Sequence, residues 1–346
     1  MSKGLVLISG LNGYIAAVTA KHLLDAGYKV RGTVRRTSSA TPIVEGPLKS
    51  YFQSGALEVV QVPDITADGA FDEAVKGVTA IAHLASPVSL QFKDPGPVIH
   101  AAVQGTSSIL ASALKAGPQL QTFVQLSSIV AILTNAPPPT TLTENDWNEW
   151  AEAAVAKGGD DLNGASIYCA SKTASERALW AFKEEKKPQF VIAAVNPVFV
   201  IGAPLITPKT KGDVGETIAP IWSVFSGAAY ATGSTPTTAT VDVNDVAGLV
   251  QAVIDDPKKS DGQRYIASSA VATPQAIADV LRKAFPAAKE RIAEGEPGVG
   301  YRKDYQADPE KDVVFQNSKA RALLGRDWVP YEESVVDTAK AFVHLV

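Results

Sequence analysis

Cysteine is all but missing from this 346-residue chain, with Cys169 the one example. Its scarcity excludes an intramolecular disulfide framework and any metal site built on several thiolates, and it favours an intracellular setting. Histidine is scarce as well. The four, His22, His83, His100 and His344, stand far apart with no two at ligand spacing, so no metal is expected and His83 reads as a packed strand-end residue. Long apolar runs are absent: nothing approaches the roughly 18 residues of a membrane span, and Leu5–Ile8 is too short for a signal peptide. Charge of one sign is lacking too, and a net charge of −4 offers little to nucleic acid or an anionic membrane. Repeats and low-complexity tracts are missing. The expectation is a cytoplasmic protein, monomer or homodimer, whose partner is a small molecule. What is plentiful is apolar: 46% hydrophobic against 20% charged residues is enough to build a substantial core.

Short apolar runs alternate with longer helical patterns through the first two hundred residues. Leu5–Ser9, Lys29–Val34, Leu57–Val62, Ala80–Leu84, Thr122–Leu126 and Phe190–Val195 read as strands buried on both faces. Tyr14–Ala26, Ala70–Val75, Val98–Ala116 and Ala165–Glu185 read as helices, with Gly27 and Gly117-Pro118 as stop signals. This rhythm predicts an α/β fold, a Rossmann-type doubly wound parallel sheet. After Pro197 the pattern turns irregular. Pro204–Gly215 and Gly233–Thr240 look like loops, and helices return at Asp245–Asp255, Pro274–Ala284 and Ser318–Leu324. The predicted division gives residues 1–196, with about 240–262, to the nucleotide-binding domain, and 197–239 with 263–346 to a smaller substrate domain.

The first strand runs into Ser9-Gly10-Leu11-Asn12-Gly13-Tyr14-Ile15-Ala16, with a helical pattern close behind. Glycine suits a tight turn whose backbone N–H groups must approach a pyrophosphate, and the helix N-terminus adds its partial positive charge. One more absence selects the dinucleotide. An NAD site places an acid at the end of the second strand for the ribose 2′-hydroxyl. Here the chain reads Val30-Arg31-Gly32-Thr33-Val34-Arg35-Arg36-Thr37-Ser38. Arg35 can clamp a 2′-phosphate through its planar fork, with Ser38 or Thr37 as a hydroxyl donor, so NADPH/NADP+ is the predicted cofactor.

Tyr168 and Lys172 are four residues apart in Ser166-Ile167-Tyr168-Cys169-Ala170-Ser171-Lys172, one turn of a helix and so on one face. A cation beside a phenol favours the phenolate. Moving its pKa from about 10 toward 7 takes roughly 4 kcal/mol, which a desolvated cation at close range can supply. Tyr168 is thereby a candidate general acid. The fifth strand ends in Ser127-Ser128, and either hydroxyl could bond a substrate carbonyl or cap the turn. Trp147 and Trp150 read as the start of a surface helix with its aromatics packed inward. Trp222 and Phe225 read as pocket walls or simple core.

With these motifs in place the chain resembles the extended short-chain dehydrogenase/reductases. Within them it is most similar to the dihydroflavonol reductase, cinnamoyl-CoA reductase and microbial aldehyde, methylglyoxal and carbonyl reductase group. The likeness runs through nearly the whole chain: Gly10-x-x-Gly13-x-x-Ala16, Val30–Arg35, Asp64-Ile65-Thr66, His83-Leu84-Ala85-Ser86-Pro87, Glu144-Asn145-Asp146-Trp147, Tyr168–Lys172, Asn196–Gly202, Val241–Ala247 and Ser318–Gly325. It implies that Ser128 polarises a carbonyl, Tyr168 protonates it, and Lys172 lowers the Tyr168 pKa and holds the nicotinamide ribose. It further implies cofactor contacts from Gly10, Asn12, Gly13, Tyr14, Ile15, Arg35, Asp64, Ile65, Leu84, Ala85, Ser86, Pro197 and Val200. The implied substrate pocket takes in Val88, Phe92, Val130, Trp222 and Phe225. The implied activity is NADPH-dependent reduction of a small hydrophobic ketone, β-keto ester or aldehyde. Ala16, where the group often has glycine, and Ala203, where a Gly-Pro pair is common, are departures. The rival expectations are a nucleotide-sugar epimerase or dehydratase that retains NAD, and a non-catalytic NADP-sensing regulator.

Overall fold

Seven parallel strands form the main sheet, in the spatial order Gln263–Ala267, Val191–Pro197, Thr122–Leu126, Ala80–His83, Leu5–Ser9, Lys29–Val34, Leu57–Gln61. A computed structural model describes residues 3–86, 92–158, 162–230 and 238–346. The strand order reverses beside Leu5–Ser9, which pairs with both Lys29–Val34 and Ala80–His83. Ligands of doubly wound sheets bind outside the carboxyl ends of the strands at such a switch point. Helices cover both faces. The helices Tyr14–Asp25 and Val243–Asp255 belong to one core with Val6, Ile8, Val30 and Val124. Phe71, Phe123 and Ile192 form a second core on the opposite face.

Local chemistry moves several predicted boundaries. The long helix before the fifth strand begins at Pro95 rather than Val98, because the Asp94 carboxylate accepts from the Gly96 N–H at 3.0 Å and proline suits the first turn. It ends at Ala113, and the chain continues to Ala116 in tighter turns. The helix Gly164–Lys186 starts where the Asn163 side chain accepts from Ser166 N at 2.9 Å, and it stops at Lys187 with φ of 44°. The expected helix over Ala70–Val75 is a run of turns. There Arg31 Nη1 donates to the carbonyls of Ala74 and Lys76, each at 2.7 Å, holding the segment to the second strand.

Beyond Pro197 the elements shorten as anticipated, and two expectations need correction. Thr238–Asp242, partly assigned to a loop, is the middle strand of a three-stranded sheet with Phe199–Ile201 and Ala270–Ala272. Residues 231–237 lie outside the described residues. Gln263–Ala267 is the edge strand of the main sheet, although the predicted division placed 263–346 with the second domain. A separate apolar core gathers Ile221, Phe225, Ile277, Leu281, Val335 and Phe342 around the three-stranded sheet. The sequence reading also passed over the helix Tyr331–Lys340, whose polar face carries Glu332, Glu333 and Lys340.

Candidate active site

The first turn is built for close approach. Gly10 has φ of 73°, open to glycine and poor for other residues, and a Cβ there would come 3.1 Å from the Ala85 Cα. Leu11 N donates to Thr33 O at 2.9 Å, pulling the turn onto the second strand, and a Cβ on Gly32 would strike Leu11 at 2.4 Å. Gly13 caps the helix with no side-chain bond to its first N–H groups, and the first turn carries no acid. Those N–H groups and the helix dipole therefore face outward, a fit for a pyrophosphate.

A cleft of about 840 Å³ opens at this point. Of the predicted cofactor residues it brings together Gly10, Asn12, Gly13, Arg35, Asp64, Ile65, Leu84, Ala85 and Ser86. The Asp64 carboxylate is held below its usual range by bonds from the Thr66 hydroxyl and N–H and by the positive charge of Arg35. Arg36 and Ser39 also line the cleft, and Ser39, rather than Ser38 or Thr37, is its hydroxyl beside the arginines. Thr33, Thr66 and Ala101 were missed. Thr33 carried a signal in strand periodicity, since it stands two residues before Arg35, whereas Ala101 reaches the cleft only through helix packing.

Tyr14 and Ile15 do not line this cleft. The Tyr14 hydroxyl donates to Gly202 O at 2.8 Å, and Ile15 packs on the core. Pro197 ends its strand, and Val200 pairs with Val241 in the three-stranded sheet; neither lines the cleft. His83 is buried. Ser9 Oγ accepts from Leu84 N and Ala85 N, both at 2.9 Å, so its own proton points to His83 Nδ1. Burial drives the His83 pKa down to about 3, leaving a neutral ring that orients the loop after the fourth strand.

Lys172 lines a small pocket next to the cleft. Its pocket shares Ile65, Ala85, Ser86 and Ala101 with the cleft. The buried ammonium donates to Leu126 O at 3.0 Å and lies 3.5 Å from Ser86 Oγ, and burial lowers its pKa to about 8. The half-buried Tyr168 shares a hydrogen bond with Ser128, and Ser128 Oγ also caps the following turn, accepting from Val130 N at 3.3 Å. Here one expectation is reversed. Burial raises the Tyr168 pKa, where a lowering was expected, and the Ser128 bond opposes the rise. Ser127 is occupied elsewhere, with its hydroxyl donating to Glu176 at 2.5 Å.

The expected pocket walls fare unevenly. Val130 lies beside Ser128 and is half-buried. Phe225 is core: it is 2% exposed and packs edge-on against Phe285, with ring centres 5.1 Å apart. Trp222 leans on Phe342 at 5.5 Å, and Phe92 is half-buried outside the cleft. Val88 lies outside the described residues. Trp147 is inward as expected, with the Arg264 and Arg177 guanidinium groups over its ring at 4.0 and 4.5 Å, but Trp150 is 45% exposed. Burial pushes the Cys169 thiol up, which suits an inert side chain.

Known proteins place this geometry. Residues 6–267 match the model of the NAD dependent epimerase/dehydratase family. GRP2 of Candida albicans, provisionally named an NADPH-dependent methylglyoxal reductase, is 30% identical over 98% of both chains. The ketoreductase azaE of Aspergillus niger is 31% identical over 92% of both. The crystal structure of yeast methylglyoxal/isovaleraldehyde reductase Gre2 complexed with NADPH superposes with a TM-score of 0.84, at 27% identity over 98% of both chains. Among the described residues no helix is long and apolar enough to cross a membrane. The chain belongs to the NAD dependent epimerase/dehydratase family, the extended short-chain dehydrogenase/reductases.

Proposed function

We propose that the protein is an NADPH-dependent reductase of ketones and aldehydes. One observation carries the reading: the cleft holds two arginines and no acid where the second strand ends, and Lys172, on the helix face that bears Tyr168, lines an adjoining pocket that shares Ala85 and Ser86 with the cleft. The family description speaks of NAD, and Arg35 and Arg36 argue for the phosphorylated form in this member. The Gly10–Gly13 turn fits the pyrophosphate, and Asp64 and Ile65 stand where an adenine would lie. The names of GRP2, azaE and Gre2 support the same chemistry.

Bound NADPH supplies the hydride that the carbonyl carbon takes up. The protein's part is the oxygen. Ser128 donates a hydrogen bond to it, and Tyr168 delivers the proton. Burial keeps Tyr168 protonated at neutral pH, the state a donor needs. The commitment of Ser127 to Glu176 supports Ser128 as the polarising hydroxyl. Lys172 holds the nicotinamide ribose. Pro197 and Val200 bring backbone groups to the carboxamide, while Tyr14 and Ile15 contribute through the helix N-terminus rather than their side chains. A small hydrophobic ketone, β-keto ester or aldehyde fits the apolar surroundings, with Val130 as one wall and Phe92 and Trp222 as the others. A cytoplasmic setting and a monomeric or homodimeric state complete the proposal; cell fractionation and sedimentation test them.

NADPH consumption over ketones, keto esters, aldehydes and a flavonoid tests the reading. Turnover with several of them is expected. NADPH binding with no consumption across the panel would favour a sensor, and NAD retained through gel filtration would favour an epimerase or dehydratase.

A further inference from the structure

The helix face that bears Tyr168 and Lys172 carries one more charge a turn further on, Glu176, which the proposed reaction leaves unused. Its side chain is fully buried. A carboxylate is sealed from water only where its charge is matched and its oxygens are bonded. Four side chains do this. Arg264 donates from Nε to Oε1 at 2.6 Å and from Nη2 to Oε2 at 3.3 Å. Ser127 Oγ and Asn196 Nδ2 donate to Oε2 at 2.5 and 2.8 Å, and Trp180 Nε1 donates to Oε1 at 3.2 Å. Arg264 is itself fixed, with Nη1 donating to the Glu144 and Asp146 carbonyls at 2.8 and 2.7 Å.

Two of these donors lead back to the reacting groups. Ser127 immediately precedes Ser128, and Asn196 Nδ2 also donates to Ser128 O at 3.1 Å. The carboxylate thus ties the ends of the strands Thr122–Leu126 and Val191–Pro197 to the helix. We propose that Glu176 is a positioning residue for the reaction: clamped by Arg264, it keeps the Lys172 ammonium charged and fixes the loop so that Ser128 faces Tyr168. The inference rests on the roles proposed for Lys172, Ser128 and Tyr168.

The surroundings of Lys172 leave Glu176 this part. Among the described residues the ammonium partners are Leu126 O and Ser86 Oγ, both uncharged. From the fourth strand the lysine faces His83, which burial keeps neutral. The helix Pro95–Ala113 brings Ala101, Ala102, Gly105 and Thr106 to its pocket, none of them ionisable. Tyr168 and Cys169 lie a turn back on the same helix, and burial raises the pKa of each, keeping both neutral. Arg264, on the edge strand, is bound to Glu176. Burial removes charge from the lysine, and the Glu176 charge opposes that loss.

The test is NADPH affinity against pH, read from nicotinamide fluorescence on the full chain, beside kcat with methylglyoxal. In wild type, affinity falls on the alkaline side as Lys172 loses its proton. Glu176→Gln is expected to move that fall to lower pH by about one unit or more. Arg264→Gln is expected to weaken the fold, because it leaves the Glu176 carboxylate buried without its cation. An ion pair that only stabilises the fold would lower Tm in both variants and move neither profile, and that result overturns the proposal. Should Glu176→Gln fail to fold, Glu176→Gln/Arg264→Gln buries no unpaired charge and should move the fall in the same direction, to lower pH; an unshifted profile in it overturns the proposal. Wild type that binds NADPH without turnover strikes the proposed reaction instead, and the affinity profile still decides the effect of Glu176 on Lys172.

Discussion

Among the described residues no charged group is bonded to the Lys172 ammonium, and its behaviour with pH follows from that. Below about 8 the buried amine keeps its proton; above it the charge is lost. NADPH affinity should therefore decline as pH rises through this range, and Lys172→Met should bind weakly with no such decline; equal slopes in the two proteins would remove Lys172 from the cofactor. Arg35 gives a second prediction at this scale. Arg35→Ala should raise the KM for NADPH about tenfold or more, the effect of losing a charge-assisted fork worth roughly 1.5–3 kcal/mol. The KM for NADH should stay within about twofold, because NADH has no 2′-phosphate to lose contact with. These residues were legible because their chemistry is local to short motifs. The engagement of Ser127 with Glu176 was not, since Glu176 lies 49 residues further along and only folding brings the two together. The raised pKa of Tyr168 was also invisible, because it depends on how deep the phenol sits rather than on spacing.

At the scale of elements, the turn after the first strand depends on the second strand having no side chain at residue 32. Gly32→Ala places a Cβ 2.4 Å from Leu11, and overpacking of this kind costs about 1–3 kcal/mol. The expected outcome is a lower denaturation midpoint with weaker NADPH binding, since the same turn shapes the cleft; unchanged stability in denaturant titration would contradict this packing. Six of the seven strands of the main sheet were readable as apolar runs because buried parallel strands present little polar surface. The seventh, Gln263–Ala267, mixes Gln and Arg with apolar residues, and Arg264 is buried only because Glu176 receives it. Helix ends slipped where side-chain caps decided them, as Asp94 did for Pro95–Ala113. The turns over 65–77 lost their predicted helix to Arg31, 43 residues from the Ala74 carbonyl it binds.

At the scale of the whole molecule, the cleft proposed for the cofactor is assembled from the first four strands, and the proposed proton-donor group comes from the fifth strand and the long helix Gly164–Lys186. Tyr14 joins this unit to the C-terminal part through Gly202, whose N–H donates to the Thr338 hydroxyl oxygen at 2.7 Å. A ligand that spans the first unit should stabilise the fold by mass action. At a hundred times its Kd, NADPH should add about 2.7 kcal/mol and raise Tm by several degrees. NADH at the same concentration should add much less, and equal shifts in calorimetry would contradict the selectivity assigned to the arginines. The rhythm of the N-terminal half announced its architecture in the sequence. The C-terminal half did not, because its strands are as short as three residues and its core is shared among distant segments.

The central claim is that Tyr168 gives the proton in an NADPH-linked carbonyl reduction. Its most direct test pairs single-turnover NADPH oxidation with NADPH affinity in wild type and Tyr168→Phe, using a carbonyl that wild type reduces. The account predicts a loss of at least about a hundredfold in the chemical step, the scale of general-acid catalysis, with the Kd for NADPH within about threefold of wild type. A Tyr168→Phe variant that reduces the carbonyl at the wild-type rate would contradict it.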